Sequence, residues 1–223
     1  MDGGIFITFE GSDGCGKSTQ IERLSRRLTS GGTERPVTFL REPGGTPLGE
    51  EIRRLLRHTA PGWSVSPEAE LLLFAASRAQ LVRETILPAL AAGGVVVCDR
   101  FLDSTTVYQG VARQLDPAAV DTINQFAAGV RRPDLTILLD LPPDVSLLRA
   151  YHRAGPLLLP TDRMELEPLA FYEAVREGYL RLAKLHPERF VVLDARGSVD
   201  EIEQGVWSHL TARFHGFCSS HRA

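Results

Sequence analysis

The chain has 223 residues, a formal net charge of −3, and 43% hydrophobic, 24% charged and 7% aromatic residues, which excludes collagenous and disordered composition and leaves one compact domain as the expectation. Its three cysteines, Cys15, Cys98 and Cys218, have no metal-ligand spacing and fit a reducing compartment rather than a disulfide scaffold. The balance of charge gives no general field for nucleic acid, no apolar run reaches the roughly 20 residues of a membrane span, and the acidic start MDGG is unlike a secretion signal; a cytoplasmic protein with no nucleic-acid or membrane partner is expected.

Residues 5–10 are a nearly continuous apolar run, expected as a strand covered on both faces. Gly11-Ser12-Asp13-Gly14-Cys15-Gly16-Lys17-Ser18 follows, then Thr19 and a helical period over 17–30. The pattern GxxxxGK[ST] between a strand and a helix is the phosphate-binding P-loop. Its glycines allow positive φ and close backbone approach, so successive N–H groups face phosphate oxygens, and the helix start adds partial positive charge. Lys17 is expected on the terminal phosphates and Ser18 on Mg²⁺, with the residues from Gly11 to Thr19 enclosing a nucleoside triphosphate. Cys15 reads as a small filler of that loop.

The next expected strand, 36–41, closes with Arg41-Glu42-Pro43-Gly44-Gly45-Thr46, and the helix expected over 47–57 carries Arg53. In the helix expected over 67–92, Phe74 and Arg78 are four apart and share a face; an aromatic ring one turn from an arginine suits a stacked base and its edge. The strand expected over 95–99 ends in Asp99-Arg100. Asp99 faces the phosphate loop, where a carboxylate can hold Mg²⁺ through water, and Arg100 can balance a second set of phosphates. No guanine-reading NKxD segment or paired strand-end acids are present, which argues against switch GTPases and mechanical ATPases. Thr105, Tyr108 and Gln109 are spaced by three and four, and glutamine carries both a donor and an acceptor for a pyrimidine edge.

Helix 117–129, strand 135–141, helix 143–153, helix 167–186, strand 190–193 and helix 198–213 complete the expected order. Strands alternating with helices imply right-handed crossovers and a mainly parallel sheet in an α/β fold, with ligands at the C-terminal strand ends. One domain is expected over 1–213, with 214–223 a tail.

Several of these segments, taken together and in order from about residue 4 to about residue 200, resemble the thymidylate kinases of bacteria. They are Phe9-Glu10-Gly11, the motif from Arg41 to Thr46, Leu73-Phe74-Ala75-Ala76-Ser77-Arg78, Asp99-Arg100 with Ser104, Tyr108-Gln109-Gly110, and Asp162-Arg163 before Glu165. The resemblance implies a three-layer P-loop nucleoside-monophosphate-kinase fold with a five-stranded parallel sheet, commonly as a homodimer. It implies transfer of the γ-phosphoryl of ATP, with Mg²⁺, to dTMP, giving dTDP for dTTP synthesis.

Carried over by position, the resemblance stacks Phe74 on thymine, puts Arg78 and Gln109 at the base edge with Thr105 nearby, and sets Tyr108 against the sugar. Arg41 and Arg100 would grip the acceptor phosphate, with Arg53 close and Glu42 in the same site; Asp13 would lie near the sugar 3′-hydroxyl, and Glu10 and Asp99 near the metal. One branch of the family has an arginine in the phosphate loop, but Gly14 occupies that place here. The catalytic arginine is then expected from a lid over 149–163, with Arg153 the candidate beside Lys17, Asp13 and Arg100, although the stretch 154–161, apolar and with two prolines, departs from the family's short polar lid. Two other readings stand beside this one: a kinase for another nucleoside monophosphate or for a deoxynucleoside, and a module that senses ATP without transferring phosphate.

Overall fold

In the computed structural model, residues 3–58, 60, 62–154 and 167–214 are described, without the side chains of 153 and 154. Strand β1 (Ile5–Glu10) is buried along its whole length. Ile5, Ile7 and Phe9 pack into one layer and Phe6 into the opposite one, as the two-residue period of a strand requires. Strands β2 (Val37–Arg41), β3 (Val95–Asp99), β4 (Leu135–Asp140) and β5 (Phe190–Asp194) pair in the order β2-β3-β1-β4-β5, all parallel. The central position of β1, between strands that arrive from opposite sides, is the switch point at which such sheets open a crevice. Phe9 and Arg41 both pair in register with Asp99, so the C-terminal ends of β1, β2 and β3 finish side by side.

Helices α1 (Lys17–Arg27) and α9 (Val199–Arg213) cover one face of the sheet, with Leu24, Ile202, Val206 and Leu210 against Ile7, Val97 and Ile137. On the other face lie α3 (Pro67–Leu81), α4 (Leu87–Ala91), α6 (Pro117–Ala128) and α8 (Leu169–Leu185). Helix α2 (Pro47–Arg57) packs on α3, and α7 (Pro143–Ala154) follows β4. Thr46, Ser66, Asp116 and Ser198 cap their helices by accepting backbone N–H bonds. Pro47, Pro67 and Pro117 follow the first three caps, where a proline loses no helical bond. Helix α3 continues to α4 through a wider turn, Val82–Ile86, in which the Leu87 N–H reaches back five residues to Val82; the missing N–H and the ring of Pro88 account for the widening.

Two boundaries differ from the sequence expectation. No element was expected between 99 and 117, yet α5 (Leu102–Thr105) runs on into a wide helical turn, Thr106–Ala112. Thr105, Thr106 and Val107 are branched at Cβ and weak helix formers. Close packing carries the segment instead: a Cβ on Gly178 of α8 would lie 3.0 Å from a Val107 methyl. At the other end, Phe214 is not part of a loose tail, since its ring is buried beside Leu210; residues 215–223 lie outside the described residues. No helix among the described residues is long and apolar enough to cross a membrane.

Candidate active site

The phosphate loop leaves β1 at Gly11 and enters α1 at Lys17, with positive φ at Gly11, Gly14 and Gly16. No side chain caps the first turn of α1, so its leading N–H groups are available to an anion. Lys17 is buried, and its Nζ donates to the carbonyls of Gly11 and Ser12, both at 3.0 Å. Gly14, at φ +82°, passes so close to α7 that a Cβ there would lie 2.0 Å from the Ser146 carbonyl oxygen. An arginine at this position is therefore incompatible with the backbone as folded. Ser12 and Cys15 form the buried underside of the loop, with the Ser12 hydroxyl donating to Ser146 Oγ at 3.4 Å; Thr19 is exposed.

Two cavities adjoin at the strand ends. The first is lined by Gly14, Gly16, Lys17, Ser18, Arg41 and Asp99. Phe74, Ser104, Thr105, Tyr108 and Gln109 line the second, with Pro43. Asp13, Glu42, Arg53 and Arg100 border both, so a charged partition separates a polar groove from a chamber with an aromatic wall. Among the described residues, Asp99 Oδ1 is buried with no hydrogen-bond partner, and so is Glu42 Oε1. Unsatisfied buried acceptors of this kind call for a donor or a cation from outside the chain.

Arg100 is the hinge of the partition. It sits at φ 69°, rare for a residue with a side chain, and its N–H is pinned to the Phe9 carbonyl at 2.9 Å. Its guanidinium donates to Asp13 Oδ1 at 2.8 Å, Ser104 Oγ at 3.1 Å, and the hydroxyls of Tyr108 and Tyr179, each at 3.3 Å. The guanidinium carbon also stands 5.0 Å from the Tyr108 ring centre. Burial pushes the Tyr108 phenol well up from its ordinary value, so it stays a neutral donor. Arg53 donates to the Pro43 carbonyl at 3.1 Å. Arg41, more exposed, is held by both carboxylate oxygens of Glu50 at 2.8 Å.

Other expected residues lie elsewhere. Arg78 is not at the cavity wall: it is 1% exposed, and donates from Nε to Glu42 Oε2 at 2.9 Å, from Nη1 to Asn124 Oδ1 at 2.8 Å and from Nη2 to Thr105 Oγ1 at 2.8 Å. It holds two wall residues from behind. Glu10, expected near the metal, borders neither cavity. Its side of β1 faces α5, and its oxygens accept from the Phe101 N–H at 2.8 Å, the Ser104 hydroxyl at 2.6 Å and the Tyr179 hydroxyl at 2.8 Å. Burial, then repulsion by Asp103, lifts its pKa to about 7, against the opposing pull of Arg100 and of the Ser104 and Tyr179 hydrogen bonds. The side chain of Arg153 and the segment with Asp162, Arg163 and Glu165 lie outside the described residues; Arg149, at the start of the expected lid, donates to the Ala195 carbonyl at 3.0 Å.

Sequence reasoning missed Glu70, Asn124 and Tyr179, which anchor Gln109, Arg78 and Glu10. Only Glu70 left a sequence signal, because it stands four residues before Phe74 and eight before Arg78 on the same face of α3.

The sequence profile of the thymidylate kinase family matches residues 9–206. The chain is 50% identical over 207 residues to a thymidylate kinase of Syntrophotalea carbinolica, spanning 91% of this chain and 93% of that one. It is 45% identical over 215 residues to a thymidylate kinase of Deinococcus radiodurans, spanning 96% and 100%. Its fold is similar to the crystal structure of thymidylate kinase from Ehrlichia chaffeensis, with a TM-score of 0.73 and 34% identity over 94% of this chain and 99% of that one.

Proposed function

The chain belongs to the thymidylate kinase family, and from that premise we propose that it transfers the γ-phosphoryl of ATP to dTMP, giving dTDP, across the partition formed by Asp13 and Arg100. The observation that carries this reading is the shared border. The phosphate loop opens into one cavity, the aromatic chamber is the other, and the same four charged residues line both. A donor in the first and a nucleoside in the second place their phosphates face to face, which is the positioning that phosphoryl transfer needs.

Within this reading Phe74 stacks on the base, Thr105 and Gln109 meet its edge, and Tyr108 lies along the sugar. Arg100, Arg53 and Arg41 hold the acceptor phosphate, with two-pronged guanidinium bonds suited to it. Lys17 leaves its loop carbonyls for the donor phosphates. No strong base is required, since the attacking phosphate oxygen is already anionic. Asp99 and Ser18 fit Mg²⁺: a buried carboxylate oxygen without a partner and an exposed hydroxyl border the groove that Lys17 lines, and hard oxygen donors suit that ion. Bound there, Mg²⁺ offsets phosphate charge. Arg153, at the end of α7, is our assignment for the arginine that closes over the transferring group, because Gly14 leaves no room for one in the loop. We also infer a cytoplasmic homodimer joined through α3 and α6, where Leu72 and Phe126 are 56% and 91% exposed.

The test is ADP release from MgATP by the purified protein with dTMP, dUMP, UMP, CMP, AMP, thymidine or no acceptor. Strong preference for dTMP is expected. Preference for another monophosphate would overturn the assignment of the chamber, and release independent of any acceptor would replace the kinase by an ATP-sensing module.

A further inference from the structure

Glu70 is fully buried in the first turn of α3, where an unneeded carboxylate is costly. Its Oε1 accepts from Gln109 Nε2 at 2.7 Å, and its two oxygens accept from Arg113 Nε and Nη2 at 3.3 Å. Arg113 is steadied in turn by Glu167 at 2.6 Å and by the Phe171 ring, 4.7 Å from its guanidinium carbon. Gln109 borders the aromatic chamber beside Phe74 and Thr105.

An ionised carboxylate only accepts hydrogen bonds, so the end of the Gln109 amide that faces Glu70 must be its NH₂ group. The amide cannot turn over without placing two oxygens against each other. Gln109 therefore meets a ligand with its carbonyl oxygen in a fixed place, as an acceptor. We infer that Glu70 is a positioning residue that fixes this orientation and so selects a pyrimidine with a ring N3–H, as thymine and uracil have, against cytosine, whose N3 is itself an acceptor. The inference rests on the aromatic chamber being the nucleoside site. Thymine loses nothing there, whereas cytosine would bury two acceptors against each other, a discrimination of about 10- to 100-fold.

The experiment compares kcat/KM for dTMP and dCMP in the intact enzyme, in Glu70→Gln, and in the exchanged pair Glu70→Gln with Gln109→Glu. In Glu70→Gln an amide faces the Gln109 amide, so either orientation of Gln109 is satisfied; the ratio of dTMP to dCMP is expected to fall about 10- to 100-fold, through a lower KM for dCMP with kcat and the KM for dTMP little changed. In the exchanged pair the new amide donates to an acceptor-only side chain at 109, and the ratio is expected to return to within about threefold of the intact enzyme. An unchanged ratio in Glu70→Gln, or an equal loss with both substrates, would show a merely structural carboxylate and overturn the inference. Should Glu70→Gln fail to fold, Glu70→Leu with Arg113→Met replaces the buried ion pair by apolar side chains that cannot orient the Gln109 amide; the same fall in the ratio supports the inference and an unchanged ratio overturns it. An intact enzyme that does not prefer dTMP over dCMP would contradict the reading of the chamber itself, a result separate from any effect of Glu70.

Discussion

Replacing Arg78 by methionine separates its role as a buried support from the expected role at the base edge. Glu42 and Arg78 are a buried pair, 3% and 1% exposed at their side chains, with Nη2 2.7 Å from Oε2. Burial raises the Glu42 pKa, and Arg78 opposes this by its charge and its hydrogen bond. Arg78→Met keeps volume but leaves Glu42 with neither oxygen paired by that partner, Oε1 already having none. Breaking a buried pair from one side costs about 3–5 kcal/mol, a large part of the roughly 5–15 kcal/mol by which domains are stable. Adding Glu42→Gln removes the stranded charge and is expected to recover about 2 kcal/mol, which a double-mutant cycle reads as coupling. Urea unfolding followed by circular dichroism at pH 8 and pH 5 measures both. Without Arg78 the Glu42 pKa rises further, so the penalty shrinks toward pH 5 as the carboxyl takes up a proton. A loss below about 1 kcal/mol with a raised KM for dTMP would refute the buried-support role and return Arg78 to the base edge.

Glu10→Gln tests the other buried acid: the Glu10 folded pKa of about 7 lies above the ordinary 4.5, so its stabilising proton is fully present below about pH 4.5 and lost as pH rises through about 7. Wild-type stability should therefore fall more steeply than that of Glu10→Gln across this window, by about 1.4 kcal/mol per pH unit, and parallel pH profiles of unfolding would contradict the assignment. Gly14→Ala forces a side chain into φ +82° and onto the Ser146 carbonyl; a destabilisation of at least about 1–2 kcal/mol is expected from the dihedral alone, with a raised KM for ATP, and an unaffected enzyme would show that α7 yields freely. Lys17→Ala is expected to abolish ADP release while leaving dTMP binding by calorimetry within about threefold, since Lys17 borders only the phosphate cavity; retained turnover would sink its role.

Much of this architecture was legible in the alternation of apolar runs with helical periods. The five apolar runs became the five strands almost residue for residue, and the helices expected from 47, 67 and 117 begin there, each after a capping side chain and at a proline. The phosphate loop was legible from its spacing alone. Glu10 was misplaced because both faces of β1 are buried: nothing in the alternation of Ile5, Ile7 and Phe9 with Phe6, Thr8 and Glu10 says which face meets the crevice. Arg78 was misplaced for a similar reason. The spacing of four from Phe74 fixes a shared face of α3, yet Phe74 reaches the chamber while Arg78, one turn on, meets Asn124 and Thr105. The segment 102–112 was unreadable as helix because its conformation depends on packing against α8, supplied by residues about 70 positions later in the chain. Glu70 is the same problem in miniature, since its partners Gln109 and Arg113 stand 39 and 43 residues away.

The central claim is that donor and acceptor meet across the partition of Asp13 and Arg100, and a crystal structure with thymidine joined through a polyphosphate chain to adenosine tests it most directly. Thymine is expected on Phe74 with its edge at Gln109, the phosphate chain passing Arg100 into the loop from Gly11 to Ser18, and Lys17 turned from its carbonyls to the phosphates. Thymidine bound outside the chamber, or a phosphate chain that does not pass Arg100, would contradict it.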